Sequence, residues 1–251
     1  KILDKISALL STLETFAHPS NSGPWTQLVA RFIQKVLARY QSRFVDEEEE
    51  ESSMMPDLKL TADMNSKLFR VFKDIVLLGS QSKKENSAVF YVASIGYLSA
   101  LPSPFRHELI NQILLDLYDS LTDQYINSNH RLIVSLKQFT EVARFMITDE
   151  VYRVHLTHIV SLLMTKIGTN DLSLTNSVFN AIVTVVSFVQ FHDFSSPDGF
   201  LSFESDTVPF IQDHLFFIKD NPSAQFRPES DTLRRAFVAS TKIFKDLVKN
   251  L

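Results

Sequence analysis

Residues 172–191 read Leu-Ser-Leu-Thr-Asn-Ser-Val-Phe-Asn-Ala-Ile-Val-Thr-Val-Val-Ser-Phe-Val-Gln-Phe, and whether this run is a strand or a helix decides the fold. Its β-branched residues favour a strand on propensity alone. Its length does not: ordinary strands run about 5–6 residues, while this stretch continues from Leu172 to Phe191 without glycine or proline. Val178, Ile182, Val185, Val186 and Val189 recur three and four apart, and Asp171 stands where a helix cap belongs. The run therefore predicts a helix, burial outweighing propensity.

The same period extends in both directions. Ile2, Ile6, Leu9, Leu10, Leu13 and Phe16 predict a first helix over 2–17, which His18-Pro19-Ser20-Asn21-Ser22-Gly23-Pro24 cannot continue. Val29, Phe32, Ile33, Val36, Leu37, Tyr40 and Phe44 predict a second over 24–45. Thr61 can cap a third bearing Leu68, Phe69, Phe72, Ile75 and Val76, with Gly79 at its stop. A fourth covers 83–101, and Ser103 before Pro104 starts a fifth through Leu121. A sixth covers 129–146, and Thr148 or Asp149 caps a seventh ending near Gly168. A ninth over 208–218 and a tenth over 229–249 follow, separated by a loop with Pro222 and Pro228. Two stretches predict loops: the acidic 46–60, carrying Asp46 and Glu47 to Glu51, and 193–206, carrying Pro197-Asp198-Gly199.

Ten helices in sequence pair as about five antiparallel hairpins. The cleanest starts, Thr61, Pro104 and Asp149, lie 43 and 45 residues apart, within the roughly 40–47-residue period of HEAT and armadillo units. The expected class is all-α, a HEAT-like α-solenoid; no residue motif repeats from unit to unit, and a compact irregular helical domain is the alternative. Both ends fall inside apolar-periodic segments, with Phe237, Ile243, Phe244, Leu247 and Val248 at the far one. Solenoids close on polar terminal repeats, so residues 1–251 are expected to be a single segment excised from a longer chain.

Composition narrows the function classes. Five glycines are too few for the turns of a many-stranded β-fold, and 21 phenylalanines against one tryptophan suit helix interfaces. A net charge of −4 gives no field that draws in a polyanion, so no nucleic-acid partner is expected. The absence of cysteine excludes disulfides and thiolate zinc sites and points to an intracellular setting; nucleus and cytoplasm are the expected locations. No Asn-x-Ser/Thr acceptor occurs and no apolar run reaches bilayer-spanning length, so no membrane is expected.

The stretch Phe16-Ala17-His18-Pro19-Ser20-Asn21-Ser22-Gly23-Pro24-Trp25-Thr26, continuing through Leu28, Phe32 and Arg39 to Phe44, resembles the connector in the middle region of the bleomycin-sensitivity family of proteasome activators. Weaker likeness follows in order at Leu60-Thr61, His130-Arg131, Val142-Ala143-Arg144-Phe145, Tyr152-Arg153-Val154-His155 and Ile167-Gly168-Thr169-Asn170-Asp171. Where the family tends to carry Pro-Gly before Ile-Asp, this chain has Lys166-Ile167-Gly168-Thr169. The resemblance implies a HEAT-like dome on the α-ring of the 20S core particle that regulates substrate entry, this segment being a scaffold packed among neighbouring HEAT repeats. The family's aromatic docking tail has no counterpart at Leu251, which implies a wall position. A nuclear-transport or other protein-binding adaptor is the competing function; it would share the helix pairs but not the connector.

No catalytic constellation stands beside these features, and no enzyme is expected. Gly-rich phosphate loops, His-Glu-x-x-His and Gly-x-Ser-x-Gly are all absent from the sequence. His155 and His158, with Asp149 and Glu150 one turn earlier, lack an evident third ligand, so packing or surface roles are expected rather than a metal. His192 beside Asp193 reads as a helix-end contact. No cofactor is expected in this segment, although the resemblance associates the full-length family with inositol phosphates. Arg31, Lys35, Arg39 and Arg43 recur every fourth residue, a solvated row or a contact for an anion or acidic partner. The connector residues His18, Pro19, Asn21, Gly23, Pro24 and Trp25 are expected to be ordered. Trp25 is expected to be buried against the first helix pair, with Trp25→Ala costing about 3–5 kcal/mol.

Overall fold

The computed structural model describes residues 2–21, 23–49, 60–102, 104–122, 129–167, 171–188 and 203–249. Among them lie ten α-helices and one π turn, with no strand. The helices are α1 (Ile2–Ala17), α2 (Thr26–Glu49), α3 (Ala62–Ser80), α4 (Glu85–Ser99), α5 (Phe105–Thr122), α6 (Asn129–Met146), α7 (Glu150–Met164), α8 (Leu172–Phe188), α9 (Val208–Asp220) and α10 (Ser230–Lys249). The β-branched eighth segment is helical over Leu172–Phe188, and 189–191 lie outside the described residues. They group into two compact units, 1–109 and 110–251.

In the first unit α1 packs on α3 and α2 on α4, while the short connector 81–84 folds α4 back against α3. Spacing explains the order. Ala30, Ile33 and Leu37 of α2, Leu68, Phe69, Phe72, Ile75 and Val76 of α3, and Ala88, Tyr91, Val92, Ile95 and Leu98 of α4 are all buried, at steps of three and four. Thr61 caps α3, its hydroxyl oxygen accepting from the Met64 N–H at 3.2 Å. The Phe105 ring at the start of α5 lies 5.3 Å from that of Phe69, and Lys73 Nζ reaches Glu108 at 2.7 Å.

Three expectations change. Gly79 does not stop α3; the helix continues to Ser80, and Gly79 lies buried beneath the Tyr91 ring. A Cβ there would stand 2.6 Å from three ring carbons, so glycine is needed for close approach of α4. The acidic run is not a loop from its first residue, because α2 extends to Glu49. Arg43 Nε holds Glu47 Oε1 at 2.6 Å one turn on, and the Leu60 N–H donates to Glu47 Oε2 at 2.6 Å; residues 50–59 lie outside those described. The stretch expected as a loop over 193–206 becomes helical by Phe203, where the π turn Phe203–Thr207 leads into α9; 193–202 lie outside the described residues.

In the second unit α7 is central. It touches α6, α8, α9 and α10, and buries Tyr152, Val154, His155, Leu156, Thr157, Ile159, Val160 and Leu163. Asp149 caps it by accepting from the Val151 N–H at 2.9 Å. Asp171 Oδ1 accepts from Leu174 N–H at the start of α8, and Asn129 Nδ2 donates to its other oxygen, so its carboxyl is held below the usual range. α10 presents buried Ala236 and Ala239, small enough for close packing, and the buried Thr207 hydroxyl donates to the Ala236 carbonyl at 3.1 Å.

The Gly79 contact yields a sign opposite to helix propensity. In an exposed helix Gly→Ala gains up to about 1 kcal/mol, whereas Gly79→Ala overpacks Tyr91 and is expected to destabilise by about 1–3 kcal/mol. Denaturant unfolding followed by circular dichroism checks it, and a rise in stability would refute the close-approach role.

Candidate functional site

The connector between α1 and α2 is held by short-range bonds among the residues its sequence singles out. His18 accepts from Asn21 N–H through its carbonyl at 2.9 Å and from Ser20 N–H through Nδ1 at 3.3 Å. The Asn21 carboxamide works in both directions, Nδ2 donating to the Thr15 carbonyl at the end of α1 and Oδ1 accepting from Gly23 N–H, each at 2.9 Å. A Cβ on Gly23 would meet that oxygen at 3.1 Å, so glycine leaves the carboxamide its place. Pro19 and Pro24 restrict the backbone on either side. The Thr26 hydroxyl donates to the Gly23 carbonyl at 2.9 Å and lies 3.3 Å from Ser87 Oγ, and Lys84 Nζ donates to the same carbonyl at 3.2 Å. Ser22 lies outside the described residues. A shallow hollow of about 490 Å³ opens beside the connector, lined by Glu14, His18, Ser20, Asn21 and Leu78 among others.

Trp25 is not buried. It is 62% exposed, and the inward place belongs to Thr26, which is 1% exposed. The reason is rotational. At about 100° per residue, Thr26, Ala30, Ile33 and Leu37 share the inward side of α2, and Trp25, Leu28 and Phe32 fall about 110–170° away from it. Leu28 is 55% and Phe32 44% exposed, so three large apolar side chains stand in a row on the outside.

The basic row lies on the same outer side. Arg31, Lys35 and Arg39 are exposed, while Arg43 is paired to Glu47. No Asp or Glu occurs between Glu14 and Asp46 along the chain, so the apolar row is flanked by cations alone on its own helix. Ile33 and Leu37 of the expected stripe face inward, but Phe32 of that stripe and Trp25, expected to be buried, face outward beside the cations.

The histidines of α7 form a buried polar cluster. His155 is fully buried, with Nδ1 3.1 Å from the Tyr118 hydroxyl and Nε2 2.8 Å from Nδ1 of His214 on α9. His214 is stacked on Phe226 at 4.9 Å, and Tyr152 donates to Asn111, which donates to the Pro222 carbonyl. His158 stacks on Tyr118 at 5.9 Å. Burial, then the neighbouring His214 and His158, hold His155 well below the ordinary imidazole range, and burial lowers His158. Among the described residues no group of three or more His, Asp or Glu could hold a metal ion. The His155 and His214 nitrogens bond to neighbouring side chains and stitch α9 to α7. His214 and its role were invisible in the sequence, since it lies 59 residues from His155. His192 and Asp193 lie outside the described residues.

Paired helices with an ordered connector and an outer face that carries both charge and aromatic surface define a helical-repeat protein. The chain belongs to the family of the mid HEAT repeats region of proteasome activator complex subunit 4, whose family model matches residues 6–251. It is similar to Proteasome activator BLM10 of Saccharomyces cerevisiae, 39% identical over 251 residues that cover 99% of this chain and 12% of the relative. The chain thus spans a small part of that curated relative's length.

Two outcomes follow from this geometry. Asn21→Ala removes two connector bonds and is expected to cost about 1–2 kcal/mol, whereas Trp25→Ala, at an exposed site, should stay within about 0.5 kcal/mol; urea unfolding of both variants checks the contrast. Because His155 is neutral when folded and ordinary when unfolded, the unfolded chain binds more protons below pH 6.5. Stability is therefore intact above pH 6.5 and falls as pH drops, with a limiting slope from His155 of about 1.4 kcal/mol per pH unit. Glu141 and Asp116, raised by burial, act in the opposite sense nearer their own range. Unfolding between pH 7.5 and 5 should show the decline, and His155→Gln should flatten it.

Proposed function

We propose that this chain is a scaffold segment of a proteasome activator, one that in its full-length form caps the 20S core particle through the α-ring and regulates substrate entry. The observation that carries the reading is the family match across 6–251, joined to 39% identity with a protein named as a proteasome activator. The site chemistry supports a structural role. The buried histidines are occupied with one another and with Tyr118, and the ordered connector sets the angle between α1 and α2. Leu172, Phe179, Val183 and Val186 form an exposed apolar stripe on α8, suited to a neighbouring HEAT repeat of the same chain. On this reading the segment performs no catalysis, needs no cofactor, and acts in the nucleus and cytoplasm.

The test uses the full-length chain purified from its own cells. It is expected to co-purify with 20S particles and to change their hydrolysis of short fluorogenic peptides several-fold relative to free 20S. A full-length chain that neither binds 20S particles nor alters that hydrolysis would remove the assignment.

A further inference from the structure

We propose that the outer face of α2 is a docking surface for an acidic amphipathic helix of another polypeptide, its apolar residues seating on Trp25, Leu28 and Phe32 and its carboxylates pairing with Arg31, Lys35 and Arg39. Charge complementarity commits the occupant. The apolar row is exposed and flanked on α2 by three cations, while the acidic residues of that helix begin only at Asp46. A basic or purely apolar partner would leave these cations without compensation, and like charges across an interface cost several kcal/mol. The apolar stripe of α8 has no such cations interleaved with it, so the two faces differ in what they can accept.

Preorganisation favours the same face. Trp25 is the chain's one tryptophan and stands at the start of α2, its carbonyl accepting from Val29 N–H at 3.0 Å. The bonds of Asn21, Gly23, Thr26 and Lys84 fix the backbone immediately before it. A large aromatic side chain held outward on an ordered turn loses little conformational freedom when covered, and tryptophan and arginine are enriched among the residues that dominate interfaces. Spacing also fits: Trp25, Leu28 and Phe32 lie three and four apart, the register that an amphipathic helix offers in return.

The experiment is selection from a randomised helical-peptide library displayed on phage, using chain 1–251, then repetition with the triple charge reversal Arg31→Glu, Lys35→Glu, Arg39→Glu. Enriched peptides should carry Asp or Glu beside Leu, Ile or Phe at helical spacing, and should shift the single tryptophan's emission to the blue. They should lose at least about tenfold in affinity on Trp25→Ala or on the charge reversal, which should instead enrich Lys- and Arg-bearing peptides, with circular dichroism unchanged in both variants. Enrichment without acidic bias, the same peptides on the reversed face, or unaltered emission would overturn the proposal. So would a blue shift that grows with chain concentration alone, which would mark a second copy as the occupant. Binding to 1–251 but not to the full-length chain would overturn it too, because the face would then be covered by the protein's own repeats.

Discussion

A helix that is apolar over most of its circumference has to be covered from several directions, and the remaining architecture answers that requirement. The buried side chains of α7 sweep about three-quarters of a turn, more than one partner can cover, and α6, α8, α9 and α10 all meet it. Each fully buried Val, Leu or Ile contributes about 1.5–3 kcal/mol from water exclusion, against which ordering the chain takes a comparable amount. A single hairpin cannot close that balance, so helices lie against those two places along the chain, as α1 does on α3 and α2 on α4. Repetition is thus a consequence of how much apolar surface each helix carries.

Packing of this kind leaves specific work for a few polar and small residues. Gly79 exists for the ring of Tyr91, and the Asn21 carboxamide joins the end of α1 to the turn before α2. His155 and His214 bond to each other where two helices meet in the buried interior. None of these is a catalytic arrangement. What α2 presents outward is an exposed tryptophan beside a row of cations, on a chain that belongs to a family of proteasome-activator HEAT repeats.

The fold was largely legible because helical period and caps are local. Thr61, Asp149 and Asp171 cap the helices they precede, and the β-branched eighth segment is a helix because its length and stripe outweigh propensity. What escaped depended on partners distant in sequence or on small rotations. Trp25 lies one position before Thr26, and that single step of about 100° separates an inward from an outward side chain. Gly79 looked like a helix stop until Tyr91 from the next helix occupied the space above it. The run from Asp46 looked like solvated loop, but Arg43 one turn earlier draws Glu47 into the helix. The cation row was legible as a row, whereas its place beside Trp25, Leu28 and Phe32 needed the true direction of burial.

The central claim is that this segment is a wall of paired helices in a cap on the 20S core particle. Electron cryomicroscopy of the full-length chain bound to 20S particles tests it most directly. The account predicts density at one end of the particle in which 1–251 is resolved as paired helices continuous with neighbouring repeats, with α1 on α3, α2 on α4, and Trp25 facing outward from α2. A full-length chain that leaves the ends of the core particle bare, or a cap in which this segment adopts another helical order, would contradict it.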